Sequence, residues 1–325
     1  MTTRRRRVMR RVGVALAGLL VVTAAALMYL MRDPRPRFAD RRGQLKDAEV
    51  IAGAADSLHQ VDLVQLRSTS GLAVELAIKR PRRTTPGGVD SLRRPLVILL
   101  GGHRTGRNAV NLIEDTRGTV VAALSYPFDG NHRVKGLAIV AEVPAIRRAI
   151  LDTPSAVLLA LDYLASQPFV DPARIEAVGV SLGAPFVTIA AALDERIRRV
   201  WIVHGTGGVY TPLEFNLRRQ LGSRAASVPI AALASVLISG PRLAPERWIP
   251  LIAPRPVVMI NATDDARLPR ASIESLYRAA GEPRERVWVT GGHVRSEAEA
   301  VRPLVALVLD RMLSAPLEVS SSNTR

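Results

Sequence analysis

The sequence predicts an α/β domain built on a mostly parallel sheet and preceded by one membrane-spanning helix. Three observations predict it. Twenty uncharged residues, Val12 to Met31, follow a cluster of arginines. Beyond them, strand-length runs that are apolar throughout alternate with helical patterns, as they do when helices cover both faces of a parallel sheet. One of those runs turns directly into a helix through Gly179-Val180-Ser181-Leu182-Gly183.

Composition narrows the class further. With 325 residues, 48% hydrophobic and 23% charged, the chain folds and is not disordered along its length. Aromatic residues make up only 4%, so the core is built from Val, Leu, Ile and Ala. The absence of cysteine excludes a disulfide framework, a thiolate metal site and a cysteine nucleophile. The net charge of +16 is concentrated at one end, where residues 1–42 hold 11 Arg against 2 Asp. A nucleic-acid reader would carry its basic patch on the folded domain with aromatic or helix-turn-helix support. The sequence has neither, so no nucleic-acid partner is expected.

At about 1.5 Å per residue, Val12 to Met31 spans roughly 30 Å as a helix, the thickness of a bilayer's hydrocarbon core. Arg4, Arg5, Arg6, Arg7, Arg10 and Arg11 precede it, and the positive-inside rule keeps them in the cytoplasm. Residues 1–11 therefore read as a basic cytoplasmic N-terminus and 12–31 as a signal-anchor, with the folded part extracytoplasmic. The alternative is secretion after cleavage at Ala24-Ala25-Ala26. Leu27 to Met31 stay apolar past that site, which favours a retained anchor. Residues 32–58, opened by Asp33-Pro34-Arg35-Pro36-Arg37, read as a juxtamembrane linker, and 315–325 as a disordered tail. Between them, 59–314 makes one domain.

Along that domain, Val61 to Arg67 and Leu72 to Arg80 alternate around Ser68-Thr69-Ser70-Gly71 and predict an antiparallel hairpin. Arg82 to Arg94 is a loop rich in Pro, Gly and Arg. The runs Pro95 to Leu100 and Thr119 to Leu124 predict buried strands, and Arg174 to Val180, Arg199 to Val203, Pro256 to Ile260 and Arg286 to Val289 predict further strands. Helices are expected at Ile146 to Ser166, Leu182 to Leu193, Ala271 to Ala280 and Ser296 to Ser314. The stretch 211–250, helical and loop-like, has the size of a cap insertion. Ligands of such sheets bind at the carboxyl ends of the strands, so the chemistry is sought there.

The G-x-S-x-G pentapeptide lies between strand and helix, where a tight turn throws Ser181 clear and glycines two positions either side avoid its neighbours. The backbone N–H of Leu182, at the helix start, is placed for a developing oxyanion. A serine hydroxyl becomes nucleophilic when a base takes its proton and a carboxylate orients that base. His293 follows the last strand in Thr290-Gly291-Gly292-His293. The other histidines are placed differently: His59 precedes the parallel sheet, His103 ends its first strand, His132 is in a loop, and His204 ends the strand after the elbow. In the loop Asn261 to Pro269, either Asp264 or Asp265 suits the acid. Serine, acid and histidine all fall at carboxyl ends of predicted strands.

Taken with Leu99-Leu100-Gly101-Gly102-His103, with Val170-Asp171-Pro172-Ala173-Arg174-Ile175 running into the elbow, and with Asp265 ahead of Leu268-Pro269, the chain from about Gln60 to Ser314 resembles the α/β-hydrolases. The likeness is to the dienelactone-hydrolase-like and prolyl-oligopeptidase-like serine hydrolases. The resemblance implies an eight-stranded sheet, with Ser181 as nucleophile, His293 as general base and acid, and Asp265 as its orienter. That choice follows because the family's acid precedes a Val/Leu-Pro pair by three residues. Leu182 and His103 would supply backbone N–H groups to the oxyanion hole. Two departures matter. Gly101-Gly102 stands where the family has His-Gly, so the side chain of His103 reads as structural or substrate-facing. A serine in place of cysteine argues against the dienelactone reaction itself. Val203-His204-Gly205-Thr206-Gly207-Gly208 imitates an oxyanion signature after the elbow and reads as a glycine-rich strand end. The implied activity is hydrolysis of a small-molecule or lipid-like carboxylic ester through an acyl-enzyme, with no metal or organic cofactor. The alternatives are a peptidase or amidase with the same triad, and a catalytically silent membrane-anchored binding protein.

Overall fold

The computed structural model describes residues 3–82, 92–102, 105–131, 133–134, 136–295 and 297–314. Helix α1 (Thr3–Met31) carries the basic cluster and the apolar run as one continuous rod. Its segment Met9–Ala26 is long and apolar enough to cross a membrane, and none of it is buried against the rest of the chain.

The next segment departs from the linker reading of 32–58. Helix α2 (Arg35–Arg42) starts within that stretch, and Leu45–Ala55 forms strand β1. Pro34 and Pro36, read as breakers, sit at the helix cap and first turn, where proline's missing N–H is no loss. Phe38 of α2 is fully buried with its ring 5.8 Å from that of Trp248, and Ser155 Oγ donates to its carbonyl at 2.9 Å. Arg41 forks onto the buried carboxylate of Asp152 at 2.9 and 2.5 Å. β1 escaped the sequence reading because nearly all its side chains are exposed, leaving no buried face to alternate. It is an edge strand held by backbone pairing to its neighbour.

The sheet therefore has nine strands, one more than expected. β2 (His59–Ser68) and β3 (Ala73–Pro81) form the expected hairpin. β4 (Arg94–Leu100), β5 (Val120–Leu124), β6 (Val170–Val180), β7 (Ile197–Val203), β8 (Val257–Ala262) and β9 (Arg284–Val289) follow, in the spatial order β1-β2-β3-β5-β4-β6-β7-β8-β9. β1, β2 and β3 run antiparallel and β3 is antiparallel to β5; every pair from β5 to β9 is parallel.

Because successive strand residues point to opposite faces, each apolar strand fills two cores. Leu96, Ile98, Ile175, Ala177, Val200, Ile202 and Met259 pack under α3 (Ile139–Ala165) and α4 (Gly183–Leu193). Val97, Leu99, Val178, Trp201, Val203 and Ile260 face the other way. The starts of α3 and β6 lie several residues ahead of the expected ones. α3 passes through Pro144 because one missing hydrogen bond is outweighed by the packed length of the helix. Beyond β7 come α5 (Tyr210–Leu221), α6 (Arg224–Leu237) and the single turn α7 (Gly240–Leu243). After β8, α8 (Arg270–Ala279) leads to β9, and α9 (Ala298–Ser314) closes the second face. The expected tail at 315–325 lies outside the described residues.

Candidate active site

β6 delivers Ser181 at a φ of +52°, a left-handed conformation in which a side chain is strained and which only a well-held turn maintains. Its N–H donates to the Val203 carbonyl at 2.9 Å, and its own carbonyl accepts from the Ala184 N–H at 3.1 Å. The flanking glycines are sterically required. A Cβ on Gly179 would stand 2.7 Å from Ala184 Cα, and one on Gly183 would fall on the Leu100 carbonyl oxygen. So β6, β7 and the start of α4 lock the elbow from three sides.

The hydroxyl so presented meets an imidazole and, beyond it, a carboxylate. Ser181 Oγ lies 2.9 Å from His293 Nε2, and His293 Nδ1 lies 2.7 Å from Asp265 Oδ2. Two loops make this line. The Asp264 N–H donates to the Gly291 carbonyl at 2.9 Å, tying the loop after β8 to the loop after β9. Gly291 takes a φ of +116°, which frees the backbone to turn and carry the imidazole over the elbow. Of the two acids the residues left open, Asp265 is the one that reaches His293. The carboxylate of Asp264 accepts from the Thr263 hydroxyl instead.

Burial by itself would raise the Asp265 carboxyl's pKa. Hydrogen bonds from His204, His293 and the Arg267 N–H outweigh it and hold the group well below the usual carboxylate range. The Leu268 N–H also donates to Oδ1, at 3.1 Å. The acid is therefore ionised at any ordinary pH, as an orienter of an imidazole must be.

His204 is the residue that sequence reasoning missed. Read as part of a glycine-rich strand end, it instead sits 99% buried, with Nδ1 3.3 Å from Asp265 Oδ2 and its ring 5.2 Å from the ring of His293. The Val294 N–H also points at Nδ1, from 3.3 Å. One neutral nitrogen cannot both donate to the carboxylate and accept from the amide. The charge-assisted bond is the stronger, which puts the proton on Nδ1. The buried Nε2 then carries only an unpartnered lone pair. The available signal was register: His204 follows β7 as Ser181 follows β6, on adjacent parallel strands.

His204, Asp265 and His293 also bring ligand atoms within 4.8 Å of one another, close enough to hold a metal ion. His293 Nδ1 and Asp265 Oδ2 are already engaged with each other, so a cation there would compete with the bond that links them. Leu182 is the N-cap of α4, at the start of the helix. His103 lies outside the described residues.

A cavity of about 450 Å³ opens at Ser181, Leu182 and His293, with Gly101 and Gly102 at its edge. None of its described lining comes from 211–250, the stretch read as a cap. α5 braces the acid loop instead. Asn216 Nδ2 donates to the Arg267 carbonyl at 2.8 Å and Arg219 donates to the Ala266 carbonyl. The cavity wall is α9, which the sequence placed only as a terminal helix.

This sheet order, with a strained serine turn between β6 and α4, is the α/β-hydrolase fold. Solved structures that share it include acetyl xylan esterase 1 from Thermoanaerobacterium sp. JW/SL YS485, with a TM-score of 0.61 and 16% identity, covering 87% of this chain and 93% of that one. A cold-adapted esterase from an Arctic intertidal metagenomic library has a TM-score of 0.52 and 16% identity, covering 80% and 97%. The 2,6-dihydroxy-pseudo-oxynicotine hydrolase has a TM-score of 0.54 and 19% identity, covering 79% and 68%. No protein-family model and no curated protein matches the chain.

Proposed function

We propose that the chain is a membrane-anchored serine hydrolase that cleaves carboxylic esters through an acyl-enzyme, with its domain outside the cytoplasm. The observation that carries the reading is the unbroken line from Ser181 Oγ through His293 to Asp265, with contacts of 2.9 and 2.7 Å. Ser181 Oγ attacks the ester carbonyl while its proton passes to His293 Nε2. The backbone N–H of Leu182, at the start of α4, holds the resulting oxyanion. Collapse expels the alcohol, which takes the proton from His293, and leaves the acyl group on Ser181. Water then attacks, its proton goes to His293, and release of the acid returns that proton to Ser181. Asp265 keeps the imidazole in the required tautomer and stabilises its transient positive charge.

The esterase names of two structural neighbours favour an ester over an amide. The arginine cluster ahead of the exposed apolar segment Met9–Ala26 supports α1 as the anchor. A small fluorophosphonate should label the wild-type protein and hydrolyse no further, whereas Ser181→Ala should take no label and turn over no p-nitrophenyl ester. Labelling that persists in Ser181→Ala would place the nucleophile elsewhere. Absence of labelling in the wild type would point to the catalytically silent reading.

A further inference from the structure

The cavity beneath Ser181 is not a simple cleft above the strand ends. It runs down one face of the sheet, between the strands and α9. Its walls are Val97, Val121 and Val178 from β4, β5 and β6, facing Leu304 and Val305 towards the mouth and Val308 at the closed end of α9. These sheet residues share a face: Val97 registers with Val121, and Val178 sits two residues before Val180 on β6. Val97 lies four residues before Gly101 at the mouth. At about 3.3 Å per strand residue, the cavity reaches roughly 13 Å below Gly101.

The shape follows from how α9 meets the sheet. Val308, Leu309 and Met312 in its second half are buried, whereas Val301, Leu304 and Val305 in its first half are only half-buried. The helix closes on the strands at its C-terminal end and stands away from them near Ser181, so the gap is blind at the bottom and open at the nucleophile. Polarity is divided in the same way. Ser181, His293, Thr105, Arg267, Arg295 and Glu297 line the mouth, and the described walls below them are Val, Leu, Ile and Ala. Buried apolar walls without a polar partner exclude a sugar, a peptide backbone or a charged group, each of which would lose its hydrogen bonds there.

Resting on the serine-hydrolase reading, we propose that this cavity is an acyl-chain pocket that selects esters of medium-length, unbranched fatty acids. The acyl carbon is fixed at Ser181, and its hydrocarbon tail lies between the sheet and α9. The blind end assigns the acyl side rather than the alcohol side. The alcohol must depart while the acyl group is still attached, and it can leave only through the open mouth, past the proton donor His293. The occupant is thus part of the substrate and continuous with the reacting centre.

The test measures kcat/KM of the full-length protein in lipid nanodiscs for p-nitrophenyl acetate, butyrate, octanoate and palmitate. Small-fluorophosphonate labelling of Ser181 is followed in parallel. The wild type should prefer octanoate over acetate by about a hundredfold, with palmitate falling away. Val305→Trp, which fills the pocket, should lower the octanoate-to-acetate ratio at least tenfold. Val308→Ala, which deepens the closed end, should move the optimum towards longer chains, and this variant decides the matter if the tryptophan substitution prevents folding. Labelling at Ser181 together with a profile that peaks at acetate, or a ratio that neither variant moves, would overturn the acyl pocket and leave the hydrolase standing. So would selectivity that follows the alcohol, with octyl acetate preferred over ethyl acetate. No labelling and no turnover of any ester would overturn the hydrolase reading, and the pocket's proposed occupant with it.

Discussion

Asp265 stands between two imidazoles, which compete for a single oxygen: Oδ2 faces His293 at 2.7 Å and His204 at 3.3 Å. On the proposed chemistry His293 moves protons and His204 only positions the carboxylate. His204→Ala should therefore lower kcat about tenfold with little change in KM, the equivalent of about 1.4 kcal/mol, within the range for a hydrogen bond to a charged group. His204→Asn should recover much of that loss, since its amide N–H can replace Nδ1–H and asparagine tolerates the left-handed φ of +50° at this position. Steady-state kinetics of the two variants check this, and equal losses in both would deny the role. Stability carries the same signature. The Asp265 pKa is lowered in the folded chain, so its contribution is fully present above the unfolded carboxylate value of about 3.9 and is lost as pH falls through the folded value. Removing the His204 donor raises the folded value, so His204→Ala should unfold in acid at a higher pH than the wild type. Ser181 and His293 were legible because each follows a strand within a glycine-bearing loop or turn. His204 does so too, yet its partner is 61 residues away, and only the pairing of β7 with β8 reveals it.

Among the elements, α2 is the one whose apparent dispensability is most misleading. It lies between an apolar helix and an edge strand, in a stretch of alternating Pro and Arg, yet it places Phe38 in a core with Leu151, Ile189, Leu243 and Trp248. Phe38→Ala should cost about 3–5 kcal/mol, the usual penalty for emptying an aromatic site in a core, read as a lower urea midpoint in chemical denaturation. A change within about 0.5 kcal/mol, the scale of surface substitutions, would mean that α2 is only a spacer. Strands β4, β5 and β8 could be read from the sequence because covering both faces makes them apolar at nearly every position, and β6, β7 and β9 because each ends in a short apolar run. β1 and α2 could not, because one is an exposed edge and the other is held by a single ring and by arginines paired to distant carboxylates. The purpose of 211–250 was hidden for a related reason. Amphipathic helices announce that they pack, but not whether they cover a pocket or, as α5 does, hold the acid loop.

At the scale of the whole molecule, only three residues separate the end of α1 from the start of α2, and α2 is built into the core. The last turn of α1 also reaches the domain directly: Arg147 Nη2 donates to the Tyr29 hydroxyl at 3.1 Å, and Arg242 stacks over the Tyr29 ring at 4.3 Å. A long flexible tether would let the domain sample space away from the bilayer. On the proposed anchoring, this connection would hold the domain at the bilayer surface, where an ester with a lipid-like tail is concentrated. Retention then matters to function, and it separates the two readings of α1. A retained anchor should leave the protein in the pellet after alkaline carbonate extraction, with an N-terminal sequence upstream of Val12. Replacing Val12 to Met31 with a cleavable secretion signal should free an active enzyme whose kcat/KM for soluble short-chain esters matches the parent, while its rate on vesicle-embedded esters drops at least tenfold. Recovery of the unaltered protein in the carbonate supernatant, with a mature N-terminus beginning just after Ala26, would instead make α1 a signal that is removed, and the domain a free enzyme that meets its substrate in solution.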